Sequence, residues 1–251
     1  MSRSILRGAL AATAAALLLT GCTALPFTTP PLSHEVVLSV PSGRAEAVAE
    51  HLGHRLEIAG ISERSIETDG DKVTVHYNPP RKDGKDQQVR ADLFTAPGDF
   101  AIRPVEAQDN EAGASADCAD DRSACIVTTD EDEVLELGPV EVTEKDLSTT
   151  KAVVVQNQWS VQVDFTKSGA DAMAELSGSV ACAADPGLKR MAILLDGTLL
   201  SAPTLQLECG QTLPGSVQIA GQDFDRDKAA QYAALMGTTL PDGVKVVSSK
   251  P

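Results

Sequence analysis

Aromatic residues are scarce in this sequence of 251 residues: one Trp, two Tyr and five Phe, 3% in all. Its cores must therefore rest on Val, Leu, Ile and Ala. Basic charge is also short, with 21 Lys and Arg against 36 Asp and Glu, a formal charge of −15. Such a chain has little with which to displace counterions from phosphates, which argues against nucleic acid. The same balance disfavours electrostatic adhesion to an anionic lipid surface, while a basic partner is allowed. Catalytic signatures are missing as well. There is no nucleophile elbow, no H-E-x-x-H, no phosphate loop and no dinucleotide glycine fingerprint, so no catalytic residue and no cofactor is expected. The length suits one large domain or two small ones.

What is present is patterned. Ser160 to Phe165 alternates apolar and polar residues, which suits a half-buried strand. Ser168 and Asp171 resemble a capping box opening a helix that carries Ala170, Met173, Ala174 and Leu176. Met191 to Leu195 is a continuous apolar run, and Asp196-Gly197 signals a tight hairpin into Leu199 and Leu200. A strand at Val217 to Ala220 follows. Asp225 then caps a last helix bearing Ala229, Ala230, Tyr232, Ala233 and Met236, which Gly237 stops just before Pro241. The expected class is α+β, and this half reads as a ferredoxin-like split βαβ domain. Upstream, Glu35 to Val40 is a strand and Arg44 to Ala59 an amphipathic helix ended by Gly60. A strand to Ile66, an Asp69-Gly70 turn, the alternating Val73, Val75 and Tyr77, a short helix near Val89 to Phe94 and a strand from Phe100 to Val105 complete an α/β lobe.

The wording of these segments is specific. Leu137-Gly138-Pro139 before Thr143-Glu144-Lys145-Asp146, the Ile193-Leu194-Leu195-Asp196-Gly197 run leading to Ser201-Ala202-Pro203, and Phe224-Asp225 before an Ala-rich helix closing on Leu240-Pro241 resemble the head of the first periplasmic domain of SecD/SecDF. The stretch from His54 to Pro79, with Ala91 to Val105, is similar to the base of the same domain. The resemblance implies a lobe at 35–105, a second at 135–247 and, between them, an acidic surface loop at 106–134 with too little apolar content to pack. Whether Val244 to Val247 pairs with head or base is open. It also implies a non-catalytic binding module whose partners are exported or unfolded polypeptide and Sec translocon subunits. The motor's membrane helices have no counterpart here. A lipoprotein that reuses the scaffold for a small molecule or envelope component is the alternative.

The N-terminus suggests where such a module sits. Arg3 and Arg7 precede an apolar run from Ala9 to Leu19, the layout of a signal peptide at 1–22. Leu19-Thr20-Gly21-Cys22 resembles a bacterial lipobox, in which the Cys22 thiol receives the lipid. An ordinary secretory signal with an incidental cysteine is the other reading. Lipidation would hold the chain on the extracytoplasmic face of the bacterial cell membrane, with the Pro-rich 23–34 as a tether. No other run approaches the roughly 20 apolar residues of a spanning helix. Beyond Cys22 lie Cys118, Cys125, Cys182 and Cys209, which in an exported chain read as two disulfides with three connectivities open. Pairing Cys118 with Cys125 and Cys182 with Cys209 is favoured. Zinc is the alternative, and the spacing lacks a C-x-x-C pair.

Other groupings read as solvated surface and no metal site is expected: His51 with His54, the aspartates 117, 120 and 121, and the acidic run 130–133. The apolar hairpin from Leu194 to Leu207 offers either plain core or an edge for an extended peptide. On the second reading the contact residues are Leu199, Leu200, Pro203 and Leu205.

Overall fold

Four antiparallel sheets and three α-helices make up the described part of this computed structural model, residues 31–109, 118, 125–129, 132–220 and 224–251. In chain order, β1 (His34–Ser39) leads to α1 (Ala45–Ile58), β2 (Arg64–Asp69), β3 (Lys72–Tyr77) and the short β4 (Arg81–Lys82) and β5 (Lys85–Asp86). A 3-10 turn at Ala91–Phe94 precedes β6 (Phe100–Asp109), β7 (Cys125–Thr128), β8 (Val134–Leu137) and β9 (Val142–Thr143). Then come β10 (Leu147–Val155), β11 (Gln158–Phe165) and α2 (Lys167–Ala181). The chain closes through β12 (Met191–Leu195), β13 (Thr198–Ser201), β14 (Ser216–Ala220), α3 (Arg226–Met236) and β15 (Lys245–Lys250).

Alternation decides the first sheet. Val73, Val75 and Tyr77 are buried while their neighbours are not, and they sit beside Leu38 and Val36 of β1. Against this face α1 sets Val48, Leu52 and Leu56, all fully buried, each worth about 1.5–3 kcal/mol of removed apolar surface. The strand order is β15-β1-β3-β2. The C-terminal strand therefore returns to the base, where Val246 lies opposite Leu38. That answers the question left open for Val244 to Val247.

The head strands do not build the expected split βαβ sheet. β10, β11 and β14 form one three-stranded antiparallel sheet, whereas β12 and β13 leave it to extend a sheet ordered β13-β12-β6-β8-β7. The reason is the five-residue apolar run Met191–Leu195, buried at every position. Met191, Ile193 and Leu195 enter the main core, while Ala192 and Leu194 enter a second cluster with Val105, Leu135 and Leu137. A strand apolar on both faces needs cover on both, which the two clusters supply, while β6 and β13 pair with its edges.

Within 106–134 the described residues include strand. β6 continues to Asp109, and Cys125–Thr128 pairs with β8, burying Cys125 and Val127. Three apolar residues in one short strand suffice once a neighbouring edge supplies the hydrogen bonds. Helix α2 is capped by Thr166, whose side chain accepts from Gly169 N–H, rather than by Ser168. The capping box lies earlier, where Thr143 and Asp146 open a single 3-10 turn. Asp225 caps α3 as expected, accepting from Lys228 N–H.

One core runs through both halves. α3 contributes Ala229, Ala233, Leu235 and Met236 to the cluster that also holds Leu52, Leu56, Val161 and Val163. Residues Leu32–Pro251 accordingly form one compact unit.

Candidate functional site

Cys22 lies outside the described residues. The other cysteines are joined as Cys118–Cys125, with Cα atoms 5.2 Å apart, and Cys182–Cys209, at 4.3 Å. The first bond is buried and the second is exposed. His51 and His54 are both exposed, and His51 Nδ1 donates to the Thr239 carbonyl at 2.5 Å. Among the described residues no three His, Cys, Asp or Glu side chains gather as metal ligands would.

Leu199, Leu200, Pro203 and Leu205 do not share a face. Leu199 packs on the cluster containing Cys125 and Val127, whereas Leu200 and Leu205 turn to the main core. Pro203 alone of the four is exposed. Strand alternation places neighbouring apolar residues on opposite sides, and here both sides are filled.

The open surface lies instead around β10. Residues 144–150, leading into and along this strand, and 236–239, just after α3, flank a cleft of about 260 Å³. Its walls are rich in hydroxyls: Ser148, Thr149, Thr150, Thr238 and Thr239. Thr150 Oγ1 donates to the Ala233 carbonyl at 2.7 Å, which holds the strand against the helix. Gly237 makes that approach feasible, because a Cβ there would stand 2.2 Å from Thr150 Oγ1.

The far wall of the cleft is clamped to the base by Arg55. This side chain is fully buried and donates to the carbonyls of Ala96 at 2.7 Å, Pro97 at 3.1 Å and Leu93 at 3.3 Å, and to that of Thr238. Burial pulls its pKa down to about 10, against the opposing pull of Asp196 and Asp92. Gly98 closes the cage. Its φ is +84°, and a Cβ would come within 2.5 Å of the Leu235 carbonyl. A second clamp joins Gln231, which accepts from Arg90 N–H at 2.8 Å and donates to the Gln88 carbonyl at 3.1 Å. The Arg90 guanidinium lies 4.7 Å from the Tyr232 ring centre, and its hydrogen bond to Asp92 raises its pKa.

The sequence reading missed β10. Its one local signal was Gln156-Asn157, both with positive φ (47° and 68°), between a valine run and an alternating strand.

Clamped helix, hydroxyl-lined cleft and long strand edge lie together on the second half of the chain, and it is this half that resembles a known family. Residues 123–240 match the family described as SecDF, P1 head subdomain. Two solved structures share the fold. A SecDF crystal structure in a super-membrane-facing form is 22% identical, with a TM-score of 0.56 over 90% of this chain and 32% of that one. A second is described as a membrane component SecDF that enhances protein export. It is 24% identical, with a TM-score of 0.54 over 85% of this chain and 98% of that one. The chain thus spans about a third of the first structure's length. No curated protein matches it.

Proposed function

We propose that this chain is an accessory of protein export, held on the extracytoplasmic face of the membrane through lipid on Cys22. In this reading its head binds exported polypeptide in extended form, or docks on translocon subunits. The match of residues 123–240 to the SecDF P1 head carries the reading. Two further features are consistent with it. No helix among the described residues is long and apolar enough to cross a membrane. Both disulfides suit an oxidising compartment.

In-cell photo-crosslinking from Thr204 and Lys151, both exposed, tests the proposal. Adducts with many secreted proteins or with translocon subunits are expected. A single unrelated partner, or none, would overturn it. Metabolic labelling with a fatty-acid analogue tests the anchor, since label should be lost in Cys22→Ser.

The hydroxyl-rich cleft of about 260 Å³ favours one other reading, an envelope lipoprotein that holds a small polar molecule there. A saturable small ligand displaced by Gly237→Leu, with no polypeptide adducts, would establish it.

A further inference from the structure

Among the described residues, the three-stranded sheet ends in a strand with no paired neighbour on its outer side. β10 is nine residues long and pairs only with β11 among the described residues. The turn at Gln156-Asn157 sets which backbone groups face outward. With φ positive at both positions, Val155 and Gln158 form the hydrogen-bonded pair that closes the hairpin. Counting back along the antiparallel register, Val153, Lys151 and Thr149 also bond to β11. The N–H and C=O groups of Val154, Ala152 and Thr150 then point away from the sheet.

Each end of this edge has a surface suited to a chain lying along it. Near Thr150 it borders the cleft that residues 236–239 also line. Near the turn, Val154 faces Trp159 across the hairpin and is 53% exposed, beyond the cover of the helices. Val154 stands on the same side as Ala152 and Thr150, whose partners Val161 and Val163 are fully buried. An added strand with an apolar residue beside Val154 would continue that layer.

The usual guards of an edge are weak here. β10 contains no proline, and its one charged residue, Lys151, lies 3.9 Å from Asp164 on the polar side of the sheet. A second copy of this chain is disfavoured as the occupant by a formal charge of −15 on each molecule.

We infer that the outer edge of β10 is a strand-addition site for an extended segment of another polypeptide. That segment alternates apolar and polar residues and carries neutral or basic charge, with Val154 and Trp159 receiving one of its apolar side chains. The inference rests on the polypeptide-binding reading above and gives it a place and a geometry.

The test uses the full-length chain and a short fluorescein-labelled peptide that alternates valine with serine or threonine between terminal lysines. Ala152→Pro removes an outward N–H without touching a β10–β11 bond, so strand addition is blocked. Fluorescence anisotropy should show binding by the parent chain, weakened at least about tenfold in Ala152→Pro. Val154→Glu, which alters no backbone group, should weaken it similarly and decides the matter if the proline variant does not fold. Equal binding by these variants overturns the edge and leaves the export reading standing. So does a parent that ignores the peptide yet gives secreted-protein adducts in cells. Neither binding nor adducts would end both. A concentration-dependent dimer abolished by Ala152→Pro would make the occupant a second copy and overturn the inference.

Discussion

Arg55 shows how one buried cation organises several backbones. Its partners are carbonyls at the end of the 3-10 turn and after α3, groups that helix ends leave without partners. Arg55→Met preserves much of the volume but removes the donors to the Leu93, Ala96 and Thr238 carbonyls, while the Pro97 carbonyl keeps Leu240 N–H. It should cost about 3 kcal/mol or more in urea unfolding. Arg55→Lys should recover only part, because an ammonium lacks the planar fork that reaches carbonyls on two segments. Gly237 gives a prediction of different form. Gly237→Ala drives a methyl into Thr150 Oγ1, a close-packing clash of about 1–3 kcal/mol. Thr150→Ala removes the obstructing oxygen but also its bond to the Ala233 carbonyl. The double variant should then be more stable than the two single losses summed. Strict additivity in that cycle would mean Gly237 is dispensable to the approach of β10 and α3.

Elements differ in how far the sequence disclosed them. The Asp196-Gly197 turn, the Asp225 cap and the face of α1 were legible because each is local: a turn residue, a cap, a period of 3.6. β12 was legible as an apolar run but not as a neighbour of β6, since pairing across so long a separation leaves no local period. The same limit left Leu199, Leu200 and Leu205 open between core and peptide edge, and their alternation serves two cores. β10 escaped notice because its turn uses Gln and Asn where a glycine would have announced it. The disulfides are tied to particular elements, and they should separate by access. Cys182 and Cys209 are exposed while Cys118 and Cys125 are buried, so a mild dithiol should open the former pair first, read by alkylation and mass spectrometry. Loop length sets their contributions. Replacing Cys182 and Cys209 with serine opens a loop of 27 residues and should cost about 3–4 kcal/mol, against about 2 kcal/mol for the pair separated by 7. At the edge of the base sheet, Lys250 hydrogen-bonds Glu35 and holds its carboxyl below the ordinary 4.5. A depressed acid stabilises the fold above its unfolded pKa and loses that contribution as pH falls through the folded one. Exchange protection of β15 amides should therefore fall on acidification below about 4.5, and Glu35→Gln should remove that dependence.

For the whole molecule the question is whether head and base are separable bodies. Reading the chain in order suggests two lobes, because a polar, acidic stretch divides two well-patterned halves. The packing joins them. Helix α3 follows the head's last strand yet packs against α1, and its Ala233, Leu235 and Met236 lie in the core that contains Leu52 and Leu56. β12 comes from the head and pairs with β6 from the base. β15 follows the head and pairs with β1. Three crossings of the boundary, each buried or hydrogen-bonded, leave little to distinguish the stability of one half from the other. Unfolding by heat should then be a single transition, with near-ultraviolet signals from Trp159 in the head and Tyr77 in the base losing intensity together. Leu235→Ala, a deletion of about 2–5 kcal/mol at a fully buried site on the shared helix, should lower both signals' midpoints equally. A split into two transitions, with the Tyr77 signal unmoved, would mean that α3 belongs energetically to the head alone. In that case the clamps of Arg55 and Gln231 act as a latch between bodies rather than as part of one core.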